Sequence, residues 1–403
     1  METVVLLGCL DTKGDEYAFV RDLLTRAGIK VVVVDTGVLG PPTFTPDIAR
    51  GEVAAAAGHD IARLAAGSGA VAVDAMATGA AEIVRRQWAR GDCDGALALG
   101  GTGGTSIAAR AFNVLPIGVP KVIVSTAVVT GNAASYVGHS DLVLFPAITD
   151  IAGVNRISTP ILSNAAAAVI GMVRNRPPEF DASRTAVVAS MFGVTTTGVT
   201  AARRRLTEMG YEVIVFHQTG VGGQTMERLI EEGHFGGVLD VTTHELVDRL
   251  VGGVFRAGDE RLTTAGRLGL PQVVSLGALD MVNFHGPETV PDQFAGRRIL
   301  EHNPAVTVVR TEPDEAAKLG ATVAERLSAA TGPVSLFLPL RGMSAYGVEG
   351  APFHDPTADA AMFDAIRSSV AANVELVELD LAINDSRFTE AMAERLHSYL
   401  ESP

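Results

Sequence analysis

The sequence predicts an α/β protein of two related Rossmann-like lobes, each with a mostly parallel sheet, and a ligand cleft between them. Three observations predict it. Short Val-rich runs alternate with Ala-rich helical stretches along most of the 403 residues. The runs are apolar throughout, without polar alternation, which is the pattern of strands buried on both faces. The whole pattern then starts again near mid-chain. With helices between such strands, a parallel sheet is the economical arrangement.

Taken in order, the first lobe is expected over residues 1–178, with apolar runs at Thr3–Leu7, Lys30–Val34, Ala70–Val73, Gly95–Leu99 and Lys121–Val124. An insertion around Pro41–Gly69 enlarges it. The boundary falls in the polar segment Arg174–Arg184, where Pro177-Pro178 cannot continue the preceding helix. The second lobe, 179–403, reads as a duplicate of the first. Val4–Leu7, Phe19–Leu24, Gly28 and Val31–Val34 are answered by Ala186–Ala189, Ala201–Leu206, Gly210 and Val213–Phe216. Gly95–Leu99 corresponds to Gly237–Val241, and Gly118–Ser125 to Gly269–Leu276. A tail adds a strand at Pro333–Pro339, a helix near Thr357–Ala372, a strand at Val374–Leu381 and an amphipathic helix at Thr389–Leu400.

Composition narrows the function. Thirty-two basic against 46 acidic side chains leave a formal charge of −14, without the basic footprint of a general nucleic-acid binder. A polyanionic small ligand remains possible, because local backbone dipoles hold it rather than net charge. Two cysteines, Cys9 and Cys93, exclude a disulfide scaffold and suit a reducing compartment. Met1–Leu10 has no basic region before its apolar run, so a secretory signal is not expected. No apolar run approaches the ~20 residues of a membrane span. A cytoplasmic protein acting on a small molecule is expected.

Ligands of open α/β sheets sit beyond the carboxyl ends of the strands, so the polar loops there are the candidates. The strongest is Gly100-Gly101-Thr102-Gly103-Gly104-Thr105-Ser106, between an apolar run and the helical Ile107–Phe112. Glycines let backbone N–H groups approach a ligand, and a helix amino terminus favours an anion. Phosphate binding is therefore expected; the plainer alternative is a tight turn with an N-cap. The loop is neither a Walker loop nor G-x-G-x-x-G, since no Gly-Lys-Ser/Thr closes it and Ser106 stands at the last position. Asp35 follows the second run, but the first turn, Gly8–Gly14, lacks the dinucleotide fingerprint. That turn supplies Asp11, Thr12 and Lys13 instead. Lys13 would neutralise phosphate and Asp11 would hold Mg²⁺; the alternative is an Asp/Thr cap beside a solvated lysine. Ser125-Thr126 ends another run, before a turn at Gly131-Asn132.

In the second lobe, His217, Asp240 and Asp280 end three runs and are candidates for acid/base catalysis or a metal site. The alternatives are a helix cap at Asp240, a buried hydrogen-bonded His217, and solvent-facing His244 and His285. Zinc is disfavoured, because the histidines lack ligand spacing. Gly222-Gly223 and Thr242-Thr243 lie in strand-end loops and, with Asn283, are substrate-binding candidates. Asn155-Arg156 and Arg341 are candidates to clamp a carboxylate or phosphate, with surface ion pairs as the alternative.

The chain resembles a bacterial, fungal and plant family whose reference point is the amino-terminal ATP-binding domain of the tomato mosaic virus resistance protein. The resemblance is carried by Asp11–Gly14, Gly100–Thr105, Gly118–Lys121 with Ser125-Thr126, and Asp150–Ser158 in the first lobe. In the second it is carried by Val215–His217, Leu239–Thr243, Gly277–Phe284 and His302-Asn303-Pro304. It implies ATP and Mg²⁺ binding at the Asp11–Lys13 turn and the Gly100–Ser106 loop, and homodimerisation. Arg341-Gly-Met-Ser344 departs from the Gly-Gly-Val-Ser expected there. Three functions follow: an ATP-dependent transferase or ligase for a small acidic or carbohydrate-derived substrate, a non-catalytic nucleotide-responsive module, or an ATP-independent hydrolase or lyase using the Asp/His rim.

Overall fold

A computed structural model describes residues 1–130, 133–175 and 183–401. The Gly131-Asn132 turn and Pro177-Pro178 therefore lie outside the described residues. The chain divides into two compact units, Met1–Glu179 and Phe180–Pro403.

The first unit holds β1 (Thr3–Gly8), β2 (Lys30–Asp35), β3 (Gly95–Gly100), β4 (Lys121–Ser125) and β5 (Val143–Pro146). All pair in parallel in the order β2-β1-β3-β4-β5. Its helices are α1 (Leu10–Arg26), α2 (Arg50–Ala56), α3 (Ile61–Ala66), α4 (Gly69–Ala89), α5 (Thr102–Phe112), α6 (Ala133–Val137) and α7 (Ser158–Arg174). Alternate strand residues serve opposite faces. Val5, Leu7, Ala96 and Ala98 pack with α4 and α5, while Val4, Leu6, Leu97 and Leu99 pack with α1 and α7. Burial on both faces is why these runs carry no polar alternation.

Ala70–Val73 is not a strand. It opens α4, where Ser68 Oγ accepts the Val71 N–H at 3.4 Å as an N-cap. Ala72, Ala75, Met76, Gly79 and Ala80 are buried at helical spacing. A four-residue apolar run has no period of its own, and the cap decided it.

The second unit contains β6 (Ala186–Met191), β7 (Glu212–His217), β8 (Gly237–Thr242), β9 (Gln272–Gly277), β13 (Val334–Pro339) and β14 (Val374–Leu379), all parallel, in the order β14-β13-β9-β8-β6-β7. Read from the β7 edge, its first four strands follow the order of the first unit, and each matched run occupies the equivalent strand. Helices α8 (Thr196–Glu208) and α14 (Ser386–Glu401) pack on one face, α12 (Pro313–Ser328) and α13 (Pro356–Ser369) on the other. Between them come α9 (Val221–Glu231), α10 (Glu245–Val251) and α11 (Thr264–Arg267). One element was not anticipated: an antiparallel sheet of β10 (Met281–Phe284), β11 (Ile299–Asn303) and β12 (Val306–Arg310).

In both units the strand order reverses beside the first strand, between β1 and β3 or β6 and β8. In the first unit Tyr17 fills that reversal. Its hydroxyl donates to the Leu7 carbonyl at 2.8 Å or the Leu99 carbonyl at 2.6 Å and accepts the Leu99 N–H at 2.7 Å. Open α/β sheets bind ligands at such reversals.

Candidate functional site

The first unit presents a cavity of about 230 Å³ at its reversal point. Asp11, Thr12, Gly103 and Gly104 line it together with largely apolar walls that include Val38, Leu39, Val73, Met76 and Ile107. Gly100 ends β3, Gly101 is the N-cap of α5, and Thr102, Gly103 and Gly104 form the first turn. No side chain caps that turn, so its N–H groups stay available to a ligand.

The four glycines have different reasons to be glycine. A Cβ on Gly100 would lie 2.8 Å from the Gly104 carbonyl carbon, so packing forbids one. On Gly101, Gly103 or Gly104 a Cβ would meet nothing nearer than 3.4 Å. None of the four has a positive φ. Three glycines are thus required neither by packing nor by backbone conformation, and what they supply is open approach to the amides.

The hydroxyls of this loop mostly face inward. Thr105 Oγ1 and Ser125 Oγ share a hydrogen bond of 2.7 Å, both residues being buried, and Ser125 Oγ also accepts the Ala127 N–H. Ser106 donates to the Thr102 carbonyl at 2.9 Å. Thr102 and Thr12 are exposed, and Thr126 is half-buried with its N–H on the Gly100 carbonyl.

Asp11 Oδ2 accepts the N–H groups of Leu39 at 2.8 Å and Gly40 at 3.2 Å, which pins the loop after β2. Oδ1 is buried and has no partner among the described residues. Asp35 is a correction: it is fully buried, not at a nucleotide edge. Its Oδ1 accepts from Leu10 at 3.1 Å and Gly37 at 2.9 Å, and burial raises its pKa. Lys13 is another. Its ammonium donates to the Ile151 carbonyl at 2.7 Å, and the residue does not line the cavity. Asn155 acts as a cap for α7, its Oδ1 accepting the Ile157 and Ser158 N–H groups at 2.9 and 3.0 Å. Arg156 beside it is exposed.

In the second unit the expected rim of three titratable groups does not form. Asp240 is 1% exposed and forms a two-point ion pair with Arg261, including Nη2 to Oδ1 at 2.8 Å; Ser190 donates to the same oxygen at 2.6 Å. Arg261 also reaches Glu245 at 3.2 Å, Glu227 at 3.5 Å and the Thr242 carbonyl at 3.0 Å. All five guanidinium donors are used. Asp280 is fully buried in the turn between β9 and β10, takes the Ser344 hydroxyl at 2.6 Å, and has its pKa raised by burial. Both carboxylates are placed as interior anchors.

Gly222 and Gly223 are close-packing glycines. A Cβ would lie 1.7 Å from the His217 carbonyl oxygen or 1.8 Å from Glu245 Oε2. Thr242 and Thr243 are buried, bonded to Thr195 at 2.7 Å and to the Ser275 carbonyl at 3.0 Å. Arg341 is exposed and paired with Asp380, Nη2 to Oδ2 at 3.0 Å. His244 is fully buried, stacked on Phe192 with centroids 4.1 Å apart. Desolvation, helped by Arg261 and His217, pushes its pKa down to about 3.

His217 and Asn283 do meet, in a second cavity of about 230 Å³. His217 ends β7, exposed and tilted against Phe192, and desolvation lowers its pKa from 6.5. Asn283 is fully buried on β10. Phe255, His302, Asn303 and Tyr346 complete the polar and aromatic lining. The antiparallel sheet supplies β10, β11 and β12 residues to its wall, so the unanticipated element builds this site.

The sequence of the first unit, residues 2–178, matches the Uncharacterised protein family (UPF0261) N-terminal domain, and residues 184–400 match its C-terminal domain. The chain belongs to the UPF0261 family. A UPF0261 protein of Clostridium tetani is 43% identical over 400 residues, 99% of both chains. The ToMV resistance protein Tm-1(GCR237) of Solanum lycopersicum is 43% identical over 314 residues, 76% of this chain but 41% of that protein. Among solved structures, the UDP-GlcNAc 2-epimerase of Methanocaldococcus jannaschii, in complex with UDP-GlcNAc and UDP, is 10% identical with a TM-score of 0.24. That alignment covers 100% of this chain and 94% of the epimerase, and a likeness so slight carries no argument.

Arg261 and Asp248 of this UPF0261 chain were missed by motif reading. Asp248, fully buried, takes the N–H groups of Asn283 and Phe255, each at 2.8 Å. Neither residue sits in a recognisable spacing, and each has other charged residues beside it, Glu260 next to Arg261 and Arg249 next to Asp248, so the sequence marks neither out. Tyr346 and Phe192 carried no signal at all. Among the described residues no group of three or more His, Cys, Asp or Glu could hold a metal, and no helix is long and apolar enough to cross a membrane.

Proposed function

We propose that this UPF0261 chain is an ATP-dependent enzyme, binding ATP with Mg²⁺ in the first unit and a small acidic or carbohydrate-derived substrate in the second. One observation carries the nucleotide half: three glycines that neither packing nor φ demands open the first turn of α5 onto a cavity at the strand reversal. Phosphate would rest on the N–H groups of Thr102, Gly103 and Gly104, favoured by the helix terminus. The apolar walls would take the uncharged part of the nucleotide. Asp11 Oδ1, buried and without a partner, fits one carboxylate ligand to Mg²⁺, which binds through one or two carboxylates plus phosphates. When bound, the ion would screen phosphate charge for phosphoryl transfer or ligation. Lys13 is left out of this reading, since its ammonium lies on the Ile151 carbonyl.

His217 is the group we assign to take a proton from a substrate hydroxyl. Its lowered pKa keeps the imidazole neutral, and it lines the second cavity. The ATP-independent hydrolase reading needs Asp240 and Asp280 at a rim, and both are interior. A homodimer accompanies the proposal from the family resemblance, and sedimentation tests it. Calorimetric titration with ATP, with and without Mg²⁺, tests the function: heat from nucleotide binding is expected, strengthened by Mg²⁺. No heat at millimolar ATP refutes it.

A further inference from the structure

We infer that the cavity of the second unit takes a small uncharged polyol of the sugar type, held by Asn283, His217 and His302. The inference rests on the reading of this cavity as the substrate site and selects between the acidic and the carbohydrate-derived substrate. About 230 Å³ is the space of roughly eight waters, room for one ring. Among the described residues lining it there is no Lys, Arg, Asp or Glu. An acid in such a pocket would lose its hydration and meet no countercharge.

The polar groups present ask for hydroxyls. Asn283 Nδ2 donates to Asp248 Oδ1 at 3.3 Å, which fixes the amide and leaves Oδ1 as a buried acceptor without a partner. That atom needs a donor, which a carboxylate or phosphate oxygen is not. His302 Nδ1 shares a hydrogen bond of 2.7 Å with the Tyr346 hydroxyl, so its Nε2 is the nitrogen left for a ligand. His217, neutral, offers one donor and one acceptor. A hydroxyl donates and accepts at once, and several on one ring satisfy all three side chains. The aromatic side chains of Phe192, Phe255 and Tyr346 give the cavity apolar surface suited to the C–H groups of such a ring.

Ligand-observed saturation-transfer NMR on the full chain tests the inference, with D-glucose, D-xylose and glycerol set against D-gluconate, D-glucose 6-phosphate and uracil. The neutral sugars are expected to bind in the millimolar range and the acids about tenfold more weakly or not at all. His217→Ala and His302→Ala, both at exposed positions and checked for an unchanged thermal midpoint, should each weaken sugar binding about tenfold. Tighter binding of an acid or of uracil overturns the inference. So does sugar binding indifferent to both substitutions, or no neutral sugar bound at tens of millimolar. A failed ATP titration leaves these outcomes unaltered, because none of them uses the first unit.

Discussion

Gly103→Asp separates a phosphate-binding loop from an ordinary turn, because the two readings predict opposite consequences. Gly103 is the second residue of α5, and a Cβ there would sit 3.4 Å from Val73 Cγ2, ordinary contact. Replacing a helical glycine by aspartate relieves about 0.3 kcal/mol, since Asp ranks just above Gly as a helix former. A carboxylate in the first turn adds roughly 0.3–1 kcal/mol from the helix dipole. The folded protein should be no less stable, and by this arithmetic slightly more so. The same carboxylate would stand within ~4 Å of a phosphate resting on the turn, a repulsion of about 4 kcal/mol at an effective dielectric of 20. That is roughly a thousandfold loss of affinity. Calorimetry with ATP and Mg²⁺ reads the affinity, and thermal melting reads the fold, with Gly103→Ala as the uncharged control. Wild-type affinity in Gly103→Asp refutes the phosphate site. Equal losses in Gly103→Asp and Gly103→Ala would make the effect steric and refute the electrostatic argument.

Three further outcomes follow from the same geometry. Asp11→Asn keeps an acceptor for the Leu39 and Gly40 N–H groups but removes the charge on Oδ1, so ATP affinity should stop responding to Mg²⁺; an unchanged response sinks the ligand assignment. Arg261→Met strands the buried Asp240, Glu227 and Glu245 and should cost about 3–5 kcal/mol in urea unfolding; a loss below about 1 kcal/mol would mean the ion cluster is dispensable. Burial pushes Glu245 from 4.5 up to about 7 and Asp248 from 3.8 up to about 7. A raised carboxyl keeps its proton longer when folded, so its stabilisation is whole below the unfolded value and is lost as pH rises through the folded one. Glu245→Gln and Asp248→Asn should therefore gain stability relative to wild type as pH climbs towards about 7, and a difference that stays flat or shrinks would contradict that placement.

Most of the sheet architecture was legible because burial on both faces writes itself as continuous apolar runs. Four matched pairs of runs fell on equivalent strands, so the duplicated pattern carried topology as well as composition. Ala70–Val73 failed because four apolar residues fit a strand and a helix face equally, and the deciding Ser68 cap lies outside the run. The strand–turn–helix setting of the glycine loop was legible from the apolar run before it and the helical stretch after it. Asp240 and Asp280 were legible as charged residues at strand ends, but not their direction. Strand-end position is a property of sequence, whereas inward orientation depends on Arg261 and Ser344, respectively 21 and 64 residues away. His244 shows the same limit: nothing in its neighbours announces that Phe192, from another strand end, will stack on it.

The two units fill the same topological position differently. Past β3, the loop beside the reversal offers glycines and amides that no side chain caps. Past β8, the equivalent loop is Thr242-Thr243-His244-Glu245, every one of them fully buried. Glu245 reaches across to the turn after β7, taking the Gly220 and Gly223 N–H groups at 2.6 and 3.2 Å and one donor of Arg261. In the β8 loop itself the Thr242 N–H goes to Ser190 Oγ and the Thr243 N–H to the Gly277 carbonyl, so those two amides are already engaged. The cavity of the second unit lies against the antiparallel sheet, where its polar lining is made of side chains: the hydroxyls of Thr219 and Tyr346, the imidazoles of His217 and His302, and the amides of Asn283 and Asn303.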